Sequence, residues 1–152
     1  MTKNLNLLIF YYSQTGNTEK MARAIEEGAK SVVGINVEIK YYVTPEELQE
    51  ADAIALGMPT YYHDIGRDMK NLLENASKQQ IKLKGKVGAA FGSYGWSGEA
   101  PNLLLEIMNN RFEMDVVEPA LRIKYNPDEK GLEACRQLGK TIAEKMLKSS
   151  LG

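Results

Sequence analysis

Short apolar runs alternate with longer stretches in which apolar residues recur at helical spacing, from one end of the chain to the other. The runs at 5–11, 37–42, 53–57, 86–92 and 116–124 have strand length and carry few polar residues. Helices are predicted at 18–33, 45–50, 65–77, 100–110 and 129–148. In the first of these, Met21, Ala22, Ile25, Ala29 and Val32 line one face. In the third, Ile65, Met69, Leu72, Leu73 and Ala76 do the same, and both stripes are read as core. Five βα units predict an α/β three-layer sandwich, with a five-stranded parallel sheet and helices on both faces. Right-handed crossovers favour the strand order 2-1-3-4-5. In such a sheet ligands bind beyond the carboxyl ends of the strands, where the order reverses.

Three unusual loops fall at those ends. The first strand stops abruptly at Ser13-Gln14-Thr15-Gly16-Asn17-Thr18, and a helical pattern begins at once. A strand, a turn rich in hydroxyls and amides, and a helix N-terminus together form a socket for phosphate. The socket has no Lys or Arg, which suits one terminal phosphate held by neutral donors rather than a triphosphate with its metal. It is neither a Walker loop nor the dinucleotide glycine pattern. An ordinary capped helix start would explain one hydroxyl, but not four polar donors crowded around Gly16.

After the third strand comes Gly57-Met58-Pro59-Thr60-Tyr61-Tyr62-His63-Asp64. Adjacent tyrosines there offer a flat apolar face with a polar tip, although taken alone they are better read as surface aromatics packed on the next helix. His63 taken alone is most simply a solvated loop histidine. After the fourth strand, Gly92-Ser93-Tyr94-Gly95-Trp96-Ser97-Gly98-Glu99 holds the only tryptophan, set between glycines that let backbone approach a ligand. That setting suits a stacking platform better than a core position. Together the loops describe a ligand with a phosphate at one end and a flat heteroaromatic ring at the other. FMN meets this description; so does a mononucleotide, though two stacking walls favour the larger tricycle.

Composition narrows the field. At 152 residues the chain is expected to form one domain, 1–152, with a sizeable core. Nineteen basic against twenty acidic residues give a net charge of −1, so no basic face for nucleic acid is expected. Met1-Thr2-Lys3-Asn4 lead straight into the first strand, and no apolar run is long enough to span a bilayer. A soluble cytoplasmic protein without a membrane partner is therefore expected. The single cysteine, Cys135, excludes an internal disulfide. It lies in the helical stripe Leu132, Cys135, Leu138, Gly139, Ile142, Ala143, Met146 and is read as a buried structural thiol. With one histidine besides, a dedicated transition-metal site is not expected.

The loop motifs resemble those of a known family. Ser13-Gln14-Thr15-Gly16-Asn17-Thr18 is similar to the phosphate signature of flavodoxins, and Gly92 to Ala100 resembles the flavin loop of their short-chain members. The likeness is stronger still to the flavodoxin domain of flavodiiron proteins. Met58-Pro59-Thr60-Tyr61-Tyr62 resembles the remaining flavin loop, and an uninterrupted fifth strand over 116–124 would suit the short-chain form.

The resemblance implies a flavodoxin-like fold, non-covalent FMN and electron transfer between redox proteins, with ferredoxin-like donors or flavoprotein reductases as partners and a monomer as the working state. It implies that Ser13, Gln14, Thr15, Asn17, Thr18 and the Gly16 backbone hold phosphate. Pro59, Thr60, Tyr61, Tyr62 and His63, with Gly92, Ser93, Tyr94, Gly95, Ser97 and Gly98, would surround the ring, and Trp96 would stack on it. The polypeptide would then carry no catalytic residue of its own. A different function on the same fold is an FMN-dependent NAD(P)H or quinone reductase, which needs room over the ring for a nicotinamide. The near-neutral charge departs from the acidity common among flavodoxins, which puts docking to basic partners in question.

Overall fold

The computed structural model describes residues 4–12, 16–40, 42–59, 66–95 and 98–151. The elements run β1 (Leu5–Tyr11), α1 (Asn17–Lys30), β2 (Ile35–Lys40), α2 (Pro45–Glu50), β3 (Ala53–Gly57), α3 (Arg67–Lys78), β4 (Val87–Tyr94), α4 (Glu99–Asn110), β5 (Asp115–Val116), β6 (Leu121–Lys124) and α5 (Glu129–Leu151). All strand pairs are parallel, in the order β2-β1-β3-β4-β5, with β6 continuing the outer position beside β4. The expected sheet and its order are both present.

Alternation along the strands divides the core into two apolar layers. Leu7, Ile9 and Tyr11 of β1 face α1 and α5, with Ala53, Ala55, Ala89 and Phe91 beside them. Leu8 and Phe10 face the other way, with Ile54, Leu56 and Ala90, onto α3 and α4. Burial on both faces is why these strands read as continuous apolar runs rather than as alternating ones. Among the described residues no helix is long and apolar enough to cross a membrane.

The element boundaries differ from the expected ones for local reasons. Helix α1 ends at Lys30 rather than 33: Ser31 caps it, donating its hydroxyl hydrogen to the Gly28 carbonyl, and Gly34 then turns the chain at φ 97°. Val32 is accordingly half-buried beside the core, not part of a helical face. Strand β2 starts two residues early, at Ile35, and ends at Lys40. The stripe residues Met69, Leu72, Leu73 and Ala76 of α3 are all buried; Ile65 lies outside the described residues.

The expectation of an unbroken strand over 116–124 is wrong. The fifth position is split: Val87–Gly88 pair with Asp115–Val116, whereas Phe91–Tyr94 pair with Leu121–Lys124. Two residues of β4 therefore face four residues, 117–120, on the outer chain. Pro119 has no N–H to give to a ladder, which favours such a gap on an edge strand. Because the excess is two residues, the side-chain alternation resumes in phase. Leu121 and Ile123 still point at the α1–α5 layer, and Arg122 and Lys124 stay exposed.

Two glycines set the approach of α1 to α5. A Cβ on Gly28 would stand 1.8 Å from the Arg136 carbonyl oxygen, and one on Gly139 would stand 2.0 Å from that of Ile25. The obstacles are backbone, so neither helix can relieve the overlap by moving a side chain. Gly28→Ala is expected to lower stability by about 1–3 kcal/mol despite alanine's better helix propensity, read as a reduced midpoint in urea.

Cys135 is fully buried between these helices, as its stripe implies. Burial pushes its thiol up to about 12, against an ordinary value of 9.0. The folded state thus favours the protonated thiol. Its contribution is fully present below pH 9 and is lost as the pH climbs from 9 toward 12, at up to about 1.4 kcal/mol per pH unit. The stability of Cys135→Ala, compared with the parent across this window by urea denaturation, should show a shallower alkaline decline.

Candidate functional site

Tyr11, Gly57 and Phe91 lie side by side in register, so β1, β3 and β4 reach their carboxyl ends at one level. The pairing then continues one residue into each loop. The Tyr12 N–H donates to the Gly57 carbonyl and the Met58 N–H to the Phe91 carbonyl, both at 3.0 Å. The loops after these three strands consequently leave the sheet from neighbouring points. This is the arrangement that the sequence anticipated.

The first loop enters α1 through Gly16, which is the N-cap and has φ 87°. This left-handed turn suits glycine, and glycine brings no side-chain oxygen to the helix amides. Among the described residues nothing lies within 4 Å of the position where its Cβ would be. A hydroxyl N-cap, the plainest account of the Ser/Thr/Asn cluster, is therefore not what starts this helix. Tyr12 just before the loop is half-buried, with its ring edge-on to Phe10 at 5.0 Å. Burial raises its phenol pKa, helped by the negative charge of Asp68 in the first turn of α3 and by Tyr42.

Thr18 and Ser93 join the first and third loops from behind. Their hydroxyls are 3.2 Å apart, and they are 0% and 5% exposed. The resemblance implies ligand contacts for both residues; their side chains also meet each other, with Thr18 in the first turn of α1 and Ser93 near the end of β4. A second junction lies at Gly92, where a Cβ would stand 2.0 Å from the Met58 carbonyl oxygen. Only glycine lets the second and third loops approach so closely.

Of the remaining candidates, Asn17 opens α1, and Pro59 and Tyr94 are half-buried. Gly95 is exposed, and buried Gly98 is the N-cap of α4. Ser13, Gln14, Thr15, Thr60, Tyr61, Tyr62, His63, Trp96 and Ser97 lie outside the described residues.

Sequence reasoning overlooked the loop between β6 and α5. The Tyr125 N–H donates to the Tyr94 carbonyl at 2.6 Å, and the Tyr125 ring lies over Gly95, 3.5 Å from the place of a Cβ. Lys20 of α1 donates to the Asn126 side chain at 2.7 Å. Arg122 reaches the Gly98 carbonyl at 3.4 Å. The segment thus braces the third loop from its outer side. Its sequence signal, Tyr-Asn-Pro-Asp, is that of an ordinary turn.

Comparison with known proteins agrees with this architecture. The flavodoxin family profile matches residues 9–139. A type A flavoprotein, fprA of Rhodobacter capsulatus, is 41% identical over 144 residues, covering 91% of this chain and 32% of the relative. Among solved structures, a flavodoxin from the domain Archaea has a TM-score of 0.84 and 42% identity, covering 94% of this chain and 99% of its own. The flavodiiron core of Flv1 from Synechocystis sp. PCC6803 has a TM-score of 0.81 and 25% identity, covering 97% of this chain and 37% of the other. The chain belongs to the flavodoxin family. It spans about a third of the curated relatives that it matches first, and nearly the whole of the archaeal flavodoxin.

The Thr18–Ser93 contact makes a stability prediction. Thr18→Val leaves the Ser93 hydroxyl buried beside a methyl group and should cost about 1–3 kcal/mol. Adding Ser93→Ala should restore part of that loss, so the double-mutant cycle in urea should show coupling between the two positions.

Proposed function

We propose that this chain binds FMN and carries electrons between redox proteins. The reading rests chiefly on three loops that leave β1, β3 and β4 at one level, tied together at Thr18–Ser93 and Gly92–Met58. The residues present suit FMN. The left-handed Gly16 and the first turn of α1 provide backbone donors for a phosphate, and an uncharged socket suits a monoester. Ser13, Gln14, Thr15 and Asn17 add side-chain donors, and Thr18 contributes its backbone while its hydroxyl holds Ser93. The resemblance implies that Pro59, Thr60, Tyr61, Tyr62 and His63 would line one side of the ring, and that the 92–98 loop, with Trp96 stacking, would line the other. The cofactor supplies one- and two-electron chemistry when bound; the protein binds it, orients it and limits access by water.

Short connections favour a carrier over a reductase. Tyr125 and Arg122 close against the third loop, which leaves less room beside it for a nicotinamide. The family is typically one of electron carriers rather than enzymes.

Anaerobic mixing of the FMN-loaded protein with NADPH or NADH tests the reading. A carrier keeps its visible flavin absorbance with both and loses it with dithionite. Rapid bleaching by either nucleotide would make the protein a reductase. Trp96→Ala should weaken FMN binding about tenfold, the size expected for loss of one stacking wall, read by quenching of flavin fluorescence.

A further inference from the structure

The outer flank of the third loop carries a patch whose exposed side chains the contacts to Tyr94 and Gly98 leave uncovered. Arg122 and Lys124 alternate on the exposed face of β6, in register with Gly92 and Tyr94. Tyr125 follows, 61% exposed, with Lys124 Nζ 5.3 Å from its ring centre. Its backbone is left-handed, φ 61°, an unfavourable conformation for an aromatic residue. The hydrogen bond to Tyr94 holds that turn and directs the ring outward over Gly95. Strain of this kind collects where a side chain must be presented in one direction.

The patch is positive although the whole chain is not. Among the described residues neither Arg122 nor Lys124 has a carboxylate partner. Of the acids that follow in sequence, Asp128 accepts the Gly131 N–H at 2.8 Å and keeps its charge, and Glu129 shares Arg136 with Glu27 and Glu133. Glu99 beside Gly98 is half-buried. Lys20 adds a third cation, oriented toward this loop by Asn126. Two unpaired cations around an exposed, rigid tyrosine have the composition of an interface hot spot, and their sign selects a negative surface.

We propose that Arg122, Lys124 and Tyr125 form the docking flank for an acidic electron-transfer protein, which they seat beside Tyr94 and Gly95. The inference rests on the carrier reading above and adds the chemistry of the partner. The flank would hold the partner's reduced centre beside the FMN site, and FMN, when bound, would accept one electron from it.

An acidic plant-type [2Fe–2S] ferredoxin is a suitable probe. FMN loading and dithionite reduction are first read from the visible spectrum; a chain that takes up no FMN brings down the carrier reading itself. The loaded, isotope-labelled protein is then titrated with oxidised ferredoxin, and amide shifts are followed by NMR. Shifts should centre on 121–126. R122E/K124E, with its FMN affinity first matched to the parent's because Arg122 also reaches the Gly98 carbonyl, should weaken binding about tenfold and slow reduction by the reduced ferredoxin in proportion, while K140E/K148E, with the same charge change along α5, should alter either by less than about twofold. K124Q alone, a milder change, should lie between the parent and R122E/K124E. Salt at about 0.5 M should erase most of the difference. Shifts centred elsewhere, or equal effects of the two double variants, would overturn the docking flank while leaving FMN binding intact.

Discussion

The backbone hydrogen bonds joining β1, β3 and β4 run between two apolar layers, so none of these strands has a wet face. Helices must cover both sides, and each crossover must return the chain to the same end of the sheet. The carboxyl ends of three adjacent strands are thereby brought to one level, at Tyr11, Gly57 and Phe91. The loops gain their proximity from the sheet, and their residues need only shape what the sheet has already assembled. The close approach of α1 to α5 at Gly28 and Gly139 seals one of the two layers.

The site is held by few contacts, each with a clear physical role. Thr18 and Ser93 exchange a buried hydrogen bond between the start of the first helix and the end of β4. Gly92 removes the Cβ that would push Met58 away. Tyr125 and Arg122 brace the third loop from outside the sheet, where the split fifth strand brings β6 back into register with β4. The break at 117–120 is thus compatible with the site: a two-residue excess preserves the facing of Leu121, Arg122, Ile123 and Lys124.

Membership of the flavodoxin family connects the chain to proteins of two sizes. It matches nearly all of an archaeal flavodoxin and about a third of fprA. The same domain therefore occurs by itself and within longer flavoproteins. The near balance of charge, with positive residues gathered beside the third loop, distinguishes the surface here, because charge placement on the rim governs which partner can approach.

The sequence by itself determined the class of fold, because apolar runs and helical stripes are local patterns and a parallel sheet leaves them nearly unmixed. Ala53–Gly57 and Pro45–Glu50 are legible to the residue for this reason. It also marked the three loops, whose hydroxyls, tyrosines and glycines stand out against apolar strands. Tertiary structure alone decided which hydroxyls meet. Thr18 and Ser93 are separated by 75 positions, and nothing local shows that their side chains face each other. The split of the fifth strand was hidden because it depends on register against β4, although Pro119 hinted at it. Tyr125 was hidden for the same reason: its turn looks ordinary until β6 pairs with β4 and lays it over Gly95. Local pattern determines elements, whereas long-range register determines which of their side chains share a site.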